Sequence, residues 1–180
     1  KLKLNTNLDK VNRAFLKGFY GEKEEEFEIV FDNEILNNKI TLKLNDISFY
    51  LDRELWKLKD SNSSITYNQN TKEFKLINFF LESKNQSINS DFRYKSTNDF
   101  DLKLITKDLK LHQFLSKNEK FDLSGFLSSE IIINQNEELQ SASANIITKN
   151  LVLNQNLIGD FDFSLSGSPI YSTYKIATSI

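Results

Sequence analysis

The chain has 180 residues and a net charge of −2, from 23 basic and 25 acidic side chains, with 39% hydrophobic residues. That balance is neither fibrous nor disordered, and it offers no basic field to hold nucleic acid. Cysteine and methionine are absent and His112 is the only histidine. This removes disulfides, thiolate nucleophiles and multi-histidine metal sites, and it argues against a histidine-centred triad.

The first predicted element is a short amphipathic helix within residues 8 to 20. Leu8, Val11, Phe15, Leu16 and Phe19 fall at i, i+3, i+7, i+8 and i+11 and make one apolar stripe, with Asn7 or Asp9 as cap and Gly21 as stop. Lys10, Arg13 and Lys17 on its polar side leave two uses open, packing across a sheet or lying on a membrane or partner.

After it, two-residue alternation dominates. Phe27, Ile29 and Phe31 form the first apolar set, then Ile40, Leu42 and Leu44, then Ile47, Phe49 and Leu51 after a one-step phase change at Asn45-Asp46. Ile65 and Tyr67, Phe74 and Leu76, Phe92 and Tyr94, Phe100, Leu102 and Leu104, and Leu109 and Leu111 continue it. Ile131 and Ile133, Leu151 and Leu153, and Phe161, Phe163 and Leu165 complete it. Each set puts apolar side chains on one strand face and Lys, Asn, Ser or Asp on the other. The fold class is therefore mainly β, with roughly twelve to fifteen short strands. Clusters at Asp60 to Ser64, Asn68 to Lys72, Ser96 to Asp99 and Asn134 to Glu138 read as turns between antiparallel neighbours. Leu111, Phe114 and Leu115 suggest one turn of helix, and Trp56, beside Leu55 and Leu58, reads as an interior filler.

Residues 105 to 114 (ITKDLKLHQF) and 147 to 156 (ITKNLVLNQN) match at an offset of 42. The same offset carries Leu123-Ser124-Gly125 onto Leu165-Ser166-Gly167. LKLNDISFYL at 42 to 51 is a fainter relative, with Asp46-Ile47 resembling Asp108-Leu109. The spacing implies stacked supersecondary units, approximately 100–141 and 142–180, sharing one apolar face within a single array over 1–180.

Leu42 to Leu58, Asp99 to Leu111, Leu123 to Leu127 and Ala144 to Gly167 together resemble the TamB-type proteins of the AsmA-like group, in the style of Bacteroidetes members. The family phrase is a strand ending "nLdL", a spacer, and "L-G" opening the next strands. Asp108-Leu109-Lys110-Leu111 with Leu123-Ser124-Gly125 fits it, and so does Asn150-Leu151-Val152-Leu153 with Leu157-Ile158-Gly159. The resemblance spans most of residues 40 to 167. It implies a long antiparallel sheet curved into a half-pipe with an apolar interior. It also implies a periplasmic location, an inner-membrane anchor outside these residues, and an outer-membrane barrel partner of the Omp85 type that other regions contact. The implied role is moving phospholipid between membranes and assisting outer-membrane assembly. Because the chain opens at Lys1, it reads as a fragment or a processed chain.

On that resemblance the candidate lipid-contacting residues are Phe27, Ile29, Phe31, Leu42, Leu44, Leu102, Leu104, Leu109, Leu111, Ile131, Ile133, Leu151, Leu153, Phe161, Phe163 and Leu165. The occupants would be phospholipid acyl chains, since a groove about 10 Å across suits them. Alternation alone favours a dry core, and with it a structural or adhesive β-repeat or sandwich domain with protein partners; the repeat and the resemblance turn the reading toward a groove. No catalytic, metal or cofactor site is expected. His112 reads as a solvent-facing polar residue, Ser124 and Ser166 as turn residues without a nucleophile elbow, and Glu22 to Glu26 as a solvated strand start. The sequons at Asn62 and Asn85 read as chance.

Overall fold

The computed structural model describes residues 3–8, 13–20, 25–60, 62–114, 122–136, 140–168 and 173–179. In chain order the strands are β1 (Lys3–Leu8), β2 (Arg13–Tyr20), β3 (Glu25–Leu36), β4 (Lys39–Leu51), β5 (Glu54–Leu58), β6 (Ser64–Asn68) and β7 (Glu73–Ser83). β8 (Gln86–Ser96), β9 (Asp99–Lys110), one helical turn α1 (Leu111–Phe114), β10 (Leu123–Gln135), β11 (Gln140–Leu153), β12 (Asn156–Ser168) and β13 (Thr173–Ser179) follow. The thirteen strands form one antiparallel sheet in sequence order, and among the described residues α1 is the only element outside it.

The meander follows from short connections. Asn37-Asn38, Asp52-Arg53 and Asn154-Gln155 all have positive φ, the pairing that two-residue hairpins of the primed type require. Asn and Asp tolerate that conformation because a short polar side chain can bond locally.

The helix expected within residues 8 to 20 does not form where the chain is described. Leu8 ends β1, and Arg13–Tyr20 is a strand paired with both β1 and β3. Residues 9–12 lie outside the described residues. A helical stripe and a paired strand compete for the same chain here, and the ladder on both sides of β2 satisfies its backbone groups along the strand. The single turn expected at Leu111 and Phe114 is present as α1.

The strands are longer than the alternation suggested. Ile40 to Leu44 and Ile47 to Leu51 belong to one 13-residue strand, β4. The phase change between them is a bulge: Leu44 pairs Phe31 and Asp46 pairs Val30, leaving Asn45 as the extra residue. Asp60 to Ser64 also differs from expectation, because the chain does not reverse there. β5 and β6 are both antiparallel to β4 and to β7, and so share one track end to end. Ser63, fully buried, stitches the gap: its hydroxyl lies 2.9 Å from the Asp60 carbonyl and 2.5 Å from that of Asn78, and its own carbonyl accepts the Leu44 N–H.

Three further bulges repeat one device. Ile77-Asn78 opposes Asp91, Lys107-Asp108 opposes Ser128, and Lys149-Asn150 opposes Asp160. The second residue of each pair has positive φ. Its N–H is taken by the opposing side chain: Asn78 by Asp91 Oδ1 at 2.7 Å, Asp108 by Ser128 Oγ at 3.0 Å, and Asn150 by Asp160 Oδ1 at 2.8 Å. The matched decapeptides therefore each carry one bulge, at Asp108 and Asn150, and Asn78-Phe79-Phe80-Leu81 is a third occurrence.

Candidate functional site: the apolar face of the sheet

Directly paired residues in an antiparallel ladder point to the same face. Following the register from strand to strand, Phe27, Ile29 and Phe31 on β3 share a face with Leu42 and Leu44 on β4. The same face carries Leu102, Leu104 and Leu109 on β9, Ile131 and Ile133 on β10, Leu151 and Leu153 on β11, and Phe161, Phe163 and Leu165 on β12. The bulges make this possible. Each inserts one residue, so the apolar positions before and after it stay in phase. Of the candidate residues only Leu111 leaves the sheet, opening α1.

The middle strands complete the face. Trp56 and Leu58, Ile65 and Tyr67, Phe79 and Leu81, and Ile88 and Phe92 all fall on it by register. The opposite face holds charged pairs, among them Arg93, 2.7 Å from Asp99 and 2.6 Å from Asp101. Those carboxylates hold the Arg93 guanidinium above its ordinary pKa, and Arg93 holds Asp99 below its own.

Coverage of the apolar face is uneven. Leu44 and Leu109 are buried, and the other candidate residues are half-buried. The chain exposes 12192 Å², where a compact monomer of this mass would expose about 9,000 Å². Tight packing is concentrated at Trp56, which has no exposed surface and clusters with Leu81 and Leu109. Phe49 stacks on its ring at 6.4 Å and Phe114 of α1 meets it edge-on at 5.7 Å. α1 thus lies over the sheet at β5. His112 on α1 is exposed, with Nε2 3.4 Å from Asp52 Oδ2.

Beside Trp56 sits a group the sequence reading missed. Glu54, 8% exposed, receives Lys84 Nζ at 2.9 Å and Lys110 Nζ at 2.5 Å on Oε1. Oε2 accepts Gln86 Nε2 at 2.7 Å and Gln113 Nε2 at 3.1 Å. The Lys110 hydrogen bond first, then those of Lys84 and Gln113, lower the carboxyl from 4.5 to about 2 against the opposing effect of burial. The available signal was phase: Glu54 falls in step with Trp56 and Leu58, an acid in an apolar register.

The geometry offers a long apolar surface, closed around Trp56, buried at Leu44 and half-covered over most of the rest. Ser124 lies on β10 and Ser166 on β12, in strands rather than turns. Searches with the sequence and the fold find no matching protein-family model, no matching curated protein and no matching solved structure.

Proposed function

We propose that the sheet curves into a half-pipe and that its apolar face carries phospholipid acyl chains, as a periplasmic bridge segment between inner and outer membranes. The observation that carries this reading is the shared, half-buried face running from β3 to β12 with no second layer over it among the described residues. A soluble domain ordinarily buries such a face against another layer, and large contiguous apolar surface marks a binding site. From β3 to β12 the neighbour path has nine positions, so at about 4.8 Å per step the face is about 40 Å long. An Omp85-type barrel partner, engaged through regions beyond these residues, and a part in outer-membrane assembly belong to the same proposal.

Site-specific photo-crosslinking in cells tests it. A crosslinker at position 163 is expected to capture phospholipid, and one at position 162, on the other face, is not. Capture of protein alone at 163 would remove the lipid path. A second reading, a structural β-repeat with a dry core, draws on one observation, the fully buried Trp56 with Leu81 and Leu109. It predicts purified protein free of lipid by native mass spectrometry.

A further inference from the structure

A cleft of about 340 Å³ opens between the β7–β8 turn and the bulges of β9 and β11. The acyl-chain reading gives it no part. Three lysines reach it from three separate places in the sheet: Lys84 from the turn, Lys110 from the end of β9, and Lys149 from the first bulge position of β11. Asp108 and the aromatic ring of Phe126 also line it.

The charges in and under this cleft do not balance. Lys84 and Lys110 both lie on the same oxygen of Glu54. Two ammonium groups therefore repel across a single carboxylate oxygen, and Asp108 is the only acid among the residues lining the cleft. Lys149 is exposed and makes no ion pair among the described residues. Three positive groups thus face two carboxylates, which leaves room for one negative charge. Gln86 anchors one part of the wall: 2% exposed, it gives its Nε2 to Glu54 and accepts the Lys110 N–H at 2.8 Å. Phe126, 38% exposed, sets an apolar surface beside the ammonium groups, an arrangement suited to an anion with an organic substituent rather than to a bare dianion.

We infer that this cleft binds a phosphodiester monoanion, its phosphate held by Lys84, Lys110 and Lys149 and its substituent resting on Phe126. Ammonium groups bind phosphate oxygens through charge-assisted hydrogen bonds, which are shorter and stronger than neutral ones. The diester has two possible sources, the headgroup of a phospholipid or a soluble phosphodiester. The inference does not rest on the acyl-chain reading.

Binding by the full chain would be measured for glycerophosphoglycerol, for inorganic phosphate, and for vesicles of phosphatidylglycerol in phosphatidylcholine. Lys149→Glu, at an exposed position, is expected to weaken diester binding at least about tenfold, with an unchanged circular dichroism spectrum and melting curve. Lys43→Glu, on an exposed lysine of β4, is expected to change nothing. Loss of glycerophosphoglycerol binding in Lys149→Glu assigns the soluble source, and loss confined to vesicles assigns the headgroup. Tighter binding of inorganic phosphate than of either diester, equal weakening by Lys43→Glu, or no effect of Lys149→Glu would overturn the inference. Lipid capture at position 163 reads the acyl-chain proposal separately, so either can fail while the other stands.

Discussion

Lys110 Nζ lies 2.5 Å from Glu54 Oε1, joining the last residue of β9 to the first of β5 across β7 and β8. The ladder itself ties each strand only to its neighbours, so this contact is a tether of longer reach. Replacing Glu54 by Gln is expected to destabilise the protein by about 1.5–3 kcal/mol, the worth of hydrogen bonds to a charged group, measured as a shift of the urea midpoint.

The same carboxylate sets a pH dependence. Its folded pKa, about 2, lies below its ordinary 4.5. The unfolded chain therefore binds the proton more readily, and the stabilisation is complete above about pH 4.5 and is lost as the pH falls toward 2. Urea midpoints of the parent and Glu54→Gln proteins are expected to differ most above pH 5 and to converge as pH 2 is approached. A constant gap across that range would show that Glu54 titrates normally.

Two glycines on strands that flank β11, Gly125 on β10 and Gly159 on β12, invite unequal results for one substitution. A Cβ at Gly125 would stand 2.9 Å from the Asn150 carbonyl oxygen and 3.0 Å from that of Lys149, both backbone atoms, at φ +126. At Gly159 (φ +107) nothing lies within 4 Å. Gly159→Ala is expected to cost about 1 kcal/mol, from the left-handed backbone alone. Gly125→Ala is expected to cost clearly more, because the β10–β11 bulge must open. Paired thermal melts check the order.

Trp56→Ala is expected to cost about 3–5 kcal/mol, as large buried aromatics do. Trp56→Phe is expected to cost much less. The indole N–H is buried and makes no hydrogen bond among the described residues, so its removal relieves an unmet donor and offsets part of the lost packing. Chemical denaturation of the two variants would separate these effects.

Phe163→Arg should leave a folded protein if the half-pipe is open, since a long arginine can carry its charge to the mouth. In a closed core the same change would cost several kcal/mol. Asp162→Ser, on the other face, is expected to be silent in both stability and lipid-transfer assays.

Much of this fold was legible because alternation reports the face directly. Phe161, Phe163 and Leu165 could be placed together from spacing alone, and the step at Asn45-Asp46 was visible as a lost phase. The length of the strands was not legible, because a bulge and a turn leave the same broken pattern in the sequence. Asp60 to Ser64 looked like a reversal for that reason. The matched decapeptides agree through the bulge, as far as Lys110 and Val152, and then part: Leu153 ends its strand and Asn154 enters a left-handed turn, whereas Leu111 opens α1 and His112 lies within it. Gly125 has its conformational counterpart in Gly159 rather than in Gly167, the residue 42 positions on, because only the first two have positive φ among the described glycines. Glu54 escaped notice because its partners, Lys84, Gln86, Lys110 and Gln113, are distant in sequence and none is unusual alone.

The strand order has a kinetic meaning. In a meander that runs in sequence order, almost every pairing closes a short loop, and such topologies fold faster than sheets whose partners are far apart. Each hairpin can dock on the one before it as the chain emerges, and melting should proceed inward from the outer strands as in other one-dimensional arrays. β5 and β6 interrupt that rule, since β4 and β7 must both be in place to hold two short pieces in one track. Hydrogen exchange is therefore expected to be slowest around β4 to β9, where Trp56 and Glu54 sit, and progressively faster toward both ends.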